Sequence, residues 1–328
     1  MSLDGSGISW TGGTLNSLYG CRECSSGCRL CYAVGNVYRQ SVNSRRNRDG
    51  RFDGLIQIVS GKKRFSGDVL FDPGHLYKVL KDSKPKRIFV NEFSDLFADD
   101  LPWSVIREHF RVFRSAVWQQ FQCLTKRAHR LREIDAQVIS EFGSWPENVW
   151  QGVSICTAAD KELARMDALG VTSAHIKWIS FEPWISDLDQ PISDAVPDLQ
   201  KRLKRNGIAW TVIGGESGSK ADTSLMTLED ARYLISESRA AGCKVHFKQL
   251  GTALAIRLGV YDTKLKHGKQ GGNSSQWPEG LNIVEWPDVA SRDYEGPVQF
   301  EPGFDAKRWK RFKNAARSSE DSVLDRAI

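Results

Sequence analysis

The chain has 328 residues, with 46 Lys and Arg against 40 Asp and Glu and a net charge of +6. A composition 40% hydrophobic and 26% charged belongs to a globular protein with a sizeable core, and excludes disordered, collagen-like and disulfide-scaffold chains. No apolar run reaches membrane-spanning length and the N-terminus lacks a basic-then-apolar leader, so the expectation is a cytoplasmic protein without a membrane partner. The basic excess points, weakly by itself, to an anionic partner.

Short β-branched or aromatic runs alternate with amphipathic helical stretches, as parallel βα units require. A first strand at Ile8 to Thr11 leads into a cysteine loop, and a helix follows from about Leu30 to Val42. Val69 to Phe71 reads as a strand with a helix from about His75 to Lys81. Arg87 to Val90 is a strand whose following helix is opened by Pro102. Phe121 to Leu124 precedes a helix at about Ala128 to Glu141, and Val149 to Ile155 precedes one at Asp160 to Leu169. His175 to Ile179, Ala209 to Ile213 and Val245 to Phe247 complete eight candidate strands, with a helix at Leu228 to Ala240. The economical fold is α/β, a (β/α)8 or partial TIM-type barrel over residues 1–251. Should two strands fall away, a partial barrel with two appended units remains. Residues 252–303, rich in Gly, Pro and Trp, read as an irregular extension. Residues 304–328 read as a basic terminal helix, Ala306 to Arg317, and a disordered tail.

Four of the seven cysteines, Cys21, Cys24, Cys28 and Cys31, fall in eleven residues with the spacing C-x2-C-x3-C-x2-C. Thiolates this close on a loop converge on one soft metal centre, because each short gap lets the backbone wrap the ion or cluster. Disulfides, a zinc knuckle and plain loop thiols are the alternatives. Zinc is disfavoured because only three residues separate the two C-x2-C pairs.

Directly after the apolar runs stand polar clusters that a barrel gathers on its C-terminal rim. They include Asn91, Glu92 and Asp95; Lys126; Ser154; Glu182; Gly214, Gly215 and Glu216; and Lys248. Cys156 lies just beyond a strand end, while Cys123 and Cys243 read as core. Between Arg39 and Arg64 lie eight Lys or Arg and two Asp, a basic loop suited either to solvent or to nucleic-acid phosphates.

Several ordered blocks carry a resemblance: W-T…G-C-x6-C-x2-C-Y-A from Trp10 to Ala33, R-I-F-V-N…S-D-L-F from Arg87 to Phe97, and F-Q-C-L-T-K-R from Phe121 to Arg127. Further blocks are N-V-W-Q-G-V-S from Asn148, S-F-E-P from Ser180, V-I-G-G-E-S-G from Val212 and F-K-Q-L-G from Phe247. From about residue 8 to Trp286-Pro287 the chain resembles the phage-type three-cysteine-motif proteins, which are assigned to the radical S-adenosylmethionine (SAM)-like barrels and are distantly like spore photoproduct lyase. The resemblance implies a [4Fe–4S] cluster, SAM as co-substrate, an external one-electron reductant, and hydrogen abstraction from a substrate such as a nucleobase or nucleotide in a phage nucleic acid modification pathway. The family's spacing, C-x6-C-x2-C, selects Cys21, Cys28 and Cys31 as ligands; generic radical SAM spacing selects Cys24, Cys28 and Cys31. Cys24 is thus an additional thiol, and Ile155-Cys156-Thr157 stands where the family commonly has acids.

Under this resemblance the rim residues Asn91, Glu92, Asp95, Lys126, Ser154, Glu182, Gly214, Gly215, Glu216 and Lys248 are SAM-binding candidates, Gly214-Gly215-Glu216 for the amino group. Lys126 and Lys248 suit a carboxylate or phosphate, or equally a rim salt bridge with Glu182 or Glu216. Cys156 is a candidate hydrogen-atom relay. The competing functions are an Fe–S electron-transfer protein with four Cys ligands and a zinc-stapled nucleic-acid-binding module.

Overall fold

The computed structural model describes residues 7–265, 268–290, 292–314 and 323–327, the last five by backbone alone. The chain forms a mixed α/β fold of two units: residues 1–24, 31–149 and 290–328, and residues 25–30 and 150–289.

In the first unit β1 (Gly13–Leu15), β6 (Arg87–Val90) and β7 (Gln120–Thr125) are parallel, with β6 in the middle. Gly13 stands opposite Ile88, and Arg87 opposite Gln120. Strands of a different kind lie between β1 and β6. β2 (Leu18–Tyr19) pairs antiparallel with β5 (Val69–Phe71), and β3 (Ile56–Val59) with β4 (Lys62–Phe65). The helices are α1 (Tyr32–Ser41), α2 (Pro73–Tyr77), α3 (Trp103–Ser115) and α4 (Leu131–Phe142). Pro102 caps α3, and Gly143 ends α4 in the left-handed region at φ 78°, as helix stops commonly do.

The second unit is more regular. β8 (Val149–Ser154), β9 (Lys177–Trp184), β10 (Ile208–Gly215) and β11 (Lys244–Gln249) are parallel in that order. Val153 pairs with Ile179, and Thr211 with both Ile179 and Val245. Every residue of β8 is buried, as a strand covered on both faces requires. The helices are α5 (Asp160–Gly170), α6 (Ile192–Ala195), α7 (Leu199–Arg205), α8 (Leu228–Ala240) and α9 (Thr252–Arg257). Thr227 caps α8 by accepting from the Asp230 amide at 3.0 Å. Trp178 and Trp210 pack with centroids 5.2 Å apart and Trp150 adds a third ring at 5.8 Å from Trp210.

Back in the first unit, β12 (Arg308–Phe312) pairs antiparallel with β5 on one side and β13 (Val323–Ala327) on the other.

Six expected strands are parallel strands of the structure, from Arg87 to Phe247 in chain order. Two are not. Ile8 to Thr11 is not a strand; the edge strand is β1, two residues on, because the Thr11 hydroxyl lies 3.1 Å from the Gly13 carbonyl and 3.0 Å from that of Arg87 and so bends the chain. Val69 to Phe71 is a strand, but in the antiparallel sheet, because β2 and β12 supply its neighbours. The basic stretch from Arg39 to Arg64 is not one loop, since β3 and β4 make a hairpin of its second half. The segment from Ala306, expected as a helix, is β12. Its Trp309 indole N–H donates to Asp49 at 2.9 Å, and the Arg311 guanidinium donates to the carbonyls of Arg51 and Asp53. These contacts and the open edge of β5 outweigh a helical preference worth only tenths of a kcal/mol per residue. β13 also replaces part of the expected disordered tail. Residues 315–322 and 328 lie outside the described residues. Residues 258–303 are irregular apart from two 3₁₀ turns, at 268–270 and 274–276, and an isolated bridge at Val284, among the described residues. No helix is long and apolar enough to cross a membrane among the described residues.

Candidate functional site

Residues after β6 and β7 meet in the first unit. Asn91 holds a left-handed backbone at φ 58°. Its side-chain oxygen accepts from the Ser17 and Leu18 amides, both at 3.0 Å, and lies 3.1 Å from the Ser17 hydroxyl. Asn91 thus fastens the start of β2 with its amide oxygen. Glu92 accepts from Asn16 at 2.9 Å. The Ser17 hydroxyl also lies 2.7 Å from Nε2 of buried His109, whose Nδ1 lies 2.8 Å from the Val105 carbonyl. The carbonyl can only accept, so Nδ1 carries a proton.

Burial pushes His109 down to about 4 from 6.5, against smaller opposing effects of the Val105 carbonyl and Glu108. The unfolded chain therefore binds the proton first. Stability from this site should be whole above pH about 6.5, fall as the pH drops, and reach its full loss of about 3 kcal/mol below about 4. Denaturant unfolding at neutral and acid pH checks this, and His109→Gln should flatten the dependence.

Asp95, 6% exposed, is more deeply built in. Both its oxygens lie within 2.9 Å of the Thr125 hydroxyl, and one accepts from the Lys126 amide at 3.2 Å and from Arg127 at 3.0 Å. The Arg127 side chain is 3% exposed. It also donates to the Arg22 carbonyl at 2.6 Å and lies 3.7 Å from Cys21 Sγ. Burial opposes the guanidinium charge, but Asp95 and then Cys21 and Cys24 outweigh it, so Arg127 is held charged above its ordinary value.

In the second unit the segment Ser25–Leu30, which carries Cys28, docks on the strand ends. Arg29 donates to Glu216 at 2.9 Å, to the Asp222 carbonyl at 2.7 Å and to Ser224 at 3.1 Å. Glu216, only 3% exposed, follows β10. Its Oε2 also accepts from the Ser224 amide at 2.7 Å, while Oε1 has no partner among the described residues. Gly214 lies against the side chains of Gln249 and Glu182. Gly215 is equally enclosed, its α-carbon facing the Leu250 carbonyl. Glu182, near the end of β9, pairs with Lys248, near the end of β11; this is the rim salt bridge that the sequence offered for that lysine. Ser154 is buried at the end of β8, and its carbonyl accepts from Arg165 at 2.7 Å.

Cys156 follows β8 and is fully buried. Its amide donates to Glu162 at 2.5 Å, and the Ser26 hydroxyl donates to the other oxygen of the same carboxylate at 3.3 Å. A β-carbon at Gly27 would lie 2.3 Å from Cys156 Sγ and 3.3 Å from Pro183 Cδ. Gly27 is therefore the residue that lets the segment lie on the strand ends. Gly27→Ala should cost about 1–3 kcal/mol by overpacking. Adding Cys156→Ala should restore most of it, a coupling that a double-mutant cycle in denaturant measures.

Cys21, Cys28 and Cys31 are half-buried, Cys24 is exposed, and Cys123 and Cys243 are core, as expected. Burial pushes the Cys243 thiol up to about 12 and raises Cys123 as well. No group of three or more His, Cys, Asp or Glu is drawn together for a metal among the described residues. By donor chemistry the loop thiols fit a soft centre, with the Arg127 guanidinium at Cys21 and the Ser25 hydroxyl 3.7 Å from Cys28 Sγ as outer hydrogen bonds.

Of the expected site residues, Ser154, Cys156, Glu182, Gly214, Gly215, Glu216, Lys248 and Cys28 belong to the second unit, and Asn91, Glu92, Asp95, Lys126, Cys21, Cys24 and Cys31 to the first. Arg29, Arg127 and Glu162 were not among them. Arg29 was within reach, lying inside the second C-x2-C. Glu162, at the start of α5, carries no local signal, since its role depends on Ser26, far away in sequence.

No curated protein and no solved structure matches this chain. A family model described as a protein of unknown function, DUF5131, matches residues 5–297. The chain therefore belongs to the DUF5131 family.

Proposed function

We propose that this chain is a radical SAM enzyme whose cluster is held by Cys21, Cys28 and Cys31. The pairing of Arg29 with Glu216 carries the reading: a cation placed between two loop cysteines reaches a buried carboxylate after β10. The Cys28-bearing segment and this strand end thus form a single constellation. The chemistry a bound [4Fe–4S] cluster and SAM supply is one-electron cleavage of the sulfonium and hydrogen-atom abstraction from substrate.

The chain's own residues bind and orient. Oε1 of Glu216, buried and unpartnered among the described residues, suits a cationic group such as the SAM amino group. In the second unit Lys248 suits its carboxylate or a substrate phosphate, with Ser154, Glu182, Gly214 and Gly215 shaping the strand ends; in the first unit Lys126 is the same kind of candidate, with Asn91, Glu92 and Asp95 shaping the strand ends there. In this reading the parallel strands form a partial barrel of the radical SAM kind with its active site at the C-terminal ends, and the substrate is a nucleobase or nucleotide of a phage modification pathway. A cytoplasmic, reducing setting and an external one-electron reductant belong to the same proposal. Cys156 is its hydrogen-atom relay; unchanged turnover and product in Cys156→Ala would remove that role.

Anaerobic reconstitution should give a brown protein with about four irons and four sulfides per chain. Reduction in the presence of SAM should release 5′-deoxyadenosine. A cluster without SAM cleavage would favour the electron-transfer alternative, for which Cys24 provides a fourth thiol; zinc in place of iron would favour the nucleic-acid-binding module.

A further inference from the structure

The hairpin β3–β4 has two unlike ends. Its base is built into the core: Leu55 and Phe65 are buried among Tyr19, Val37 and Phe52, with Ile56 packed against them. Its tip is exposed. Ser60 and Gly61 form a two-residue turn with φ 48° and 74°, the pattern of a tight hairpin that continues the strands' twist. Across the ladder Val59 faces Lys62 and Ile58 faces Lys63. Successive residues point to opposite faces, so each face of the ribbon presents one aliphatic and one ammonium group. Ile58 is 67% and Val59 49% exposed, in contrast to the buried aliphatic residues at the base. The Lys63 ammonium lies 3.8 Å from the Tyr38 ring centroid, linking the hairpin to α1.

The charges around this tip are unneutralised. Lys62, Lys63, Arg45, Arg46 and Arg48 are exposed, and none pairs with a carboxylate among the described residues. The two acids of the stretch are engaged elsewhere: Asp49 by Arg51 and Trp309, and Asp53 by the Asn47 amide at 2.6 Å.

We infer that this hairpin is a DNA-gripping ribbon, which enters the major groove of a B-form duplex with one face, and so one of Ile58 and Val59, toward the base edges and its cations on the phosphates. A two-stranded ribbon fits a groove about 12 Å wide, and aliphatic groups suit thymine methyls. The major groove of A-form RNA is too deep and narrow to admit side chains. A lipid surface is the weaker match, since interfacial segments present Trp, Phe and Leu on one face, whereas here single β-branched residues alternate across a stiff ribbon. The inference rests on the proposed function for its meaning, naming duplex DNA as the carrier of the substrate, while its test needs no catalysis.

The purified protein, without added SAM, is titrated with a short DNA duplex from about 50 to 200 mM salt. Lys62→Gln/Lys63→Gln should lower the log–log salt slope by about 2, near 0.9 for each phosphate no longer neutralised. Ile58→Ser/Val59→Ser should weaken binding about tenfold and leave the slope unchanged. All four positions are exposed, and the thermal midpoint verifies folding. Equal affinity in wild type and both variants overturns the inference, as does tighter binding to a duplex RNA or to anionic lipid vesicles than to DNA. DNA binding without SAM cleavage would leave this inference standing and sink the enzyme reading; SAM cleavage without DNA binding would do the reverse.

Discussion

Replacing Cys21 by alanine is expected to abolish cluster assembly, whereas Cys24→Ala should leave iron and sulfide near the wild-type content. Spacing alone admits either residue as the third ligand. The surroundings differ. Cys24 is exposed, while Cys21 is half-buried and lies 3.7 Å from a guanidinium fixed by Asp95 and the Arg22 carbonyl. A charged donor held at a sulfur is the kind of outer contact that orients a thiolate ligand and stabilises its charge. Cys28→Ala and Cys31→Ala should match Cys21→Ala. Iron and sulfide analysis after anaerobic reconstitution reads the result directly. Loss of the cluster in Cys24→Ala with retention in Cys21→Ala would reverse the assignment, and loss in both would favour four-thiolate ligation.

Asp95→Ala should be among the most destabilising substitutions in the first unit, at about 3–5 kcal/mol, because it leaves a buried guanidinium without its main counter-charge. What remains is Asp99 at 3.4 Å, itself 38% exposed and so a weak compensator. The Thr125 hydroxyl and the Lys126 amide lose their acceptor at the same time. Asp95→Asn keeps an acceptor and should cost less, so the difference between the variants isolates the charge. Asp95→Ala/Arg127→Met should recover part of the loss by removing the stranded cation. Denaturant midpoints measure all three, and a loss near ~1 kcal/mol for Asp95→Ala would overturn this account. Because Arg127 also reaches Cys21, these variants should lower iron retention even where folding is intact.

Parallel strands after residue 86 were legible because each is a short apolar run closed by a polar cluster, and β8 to β11 follow that pattern closely. Helix α8 was legible down to its ends, since Thr227 and the acids Glu229 and Asp230 form a local start signal. Such features depend on residues a few positions apart. β12 depends instead on Asp49 and on the edge of β5, far away along the chain, and its sequence alone favours a helix. The hairpin hid within a basic stretch because its turn is Ser60-Gly61 and its second strand is mostly cationic, so alternation was masked by charge.

The same division holds for the site. By itself the sequence determined the cysteine cluster, the candidate groups at strand ends and the basic character of residues 39–64, since these are matters of residue type and short spacing. Only the tertiary structure decided which groups are already engaged. Asn91 fastens Ser17 and Leu18, Lys248 is paired with Glu182, and Cys156 is buried beneath Gly27. It also brought Arg29 to Glu216, Arg127 to Cys21, and Ser26 and Cys156 to Glu162. A buried charge must find a partner or leave the interior, and which partner it finds is fixed by how distant segments pack.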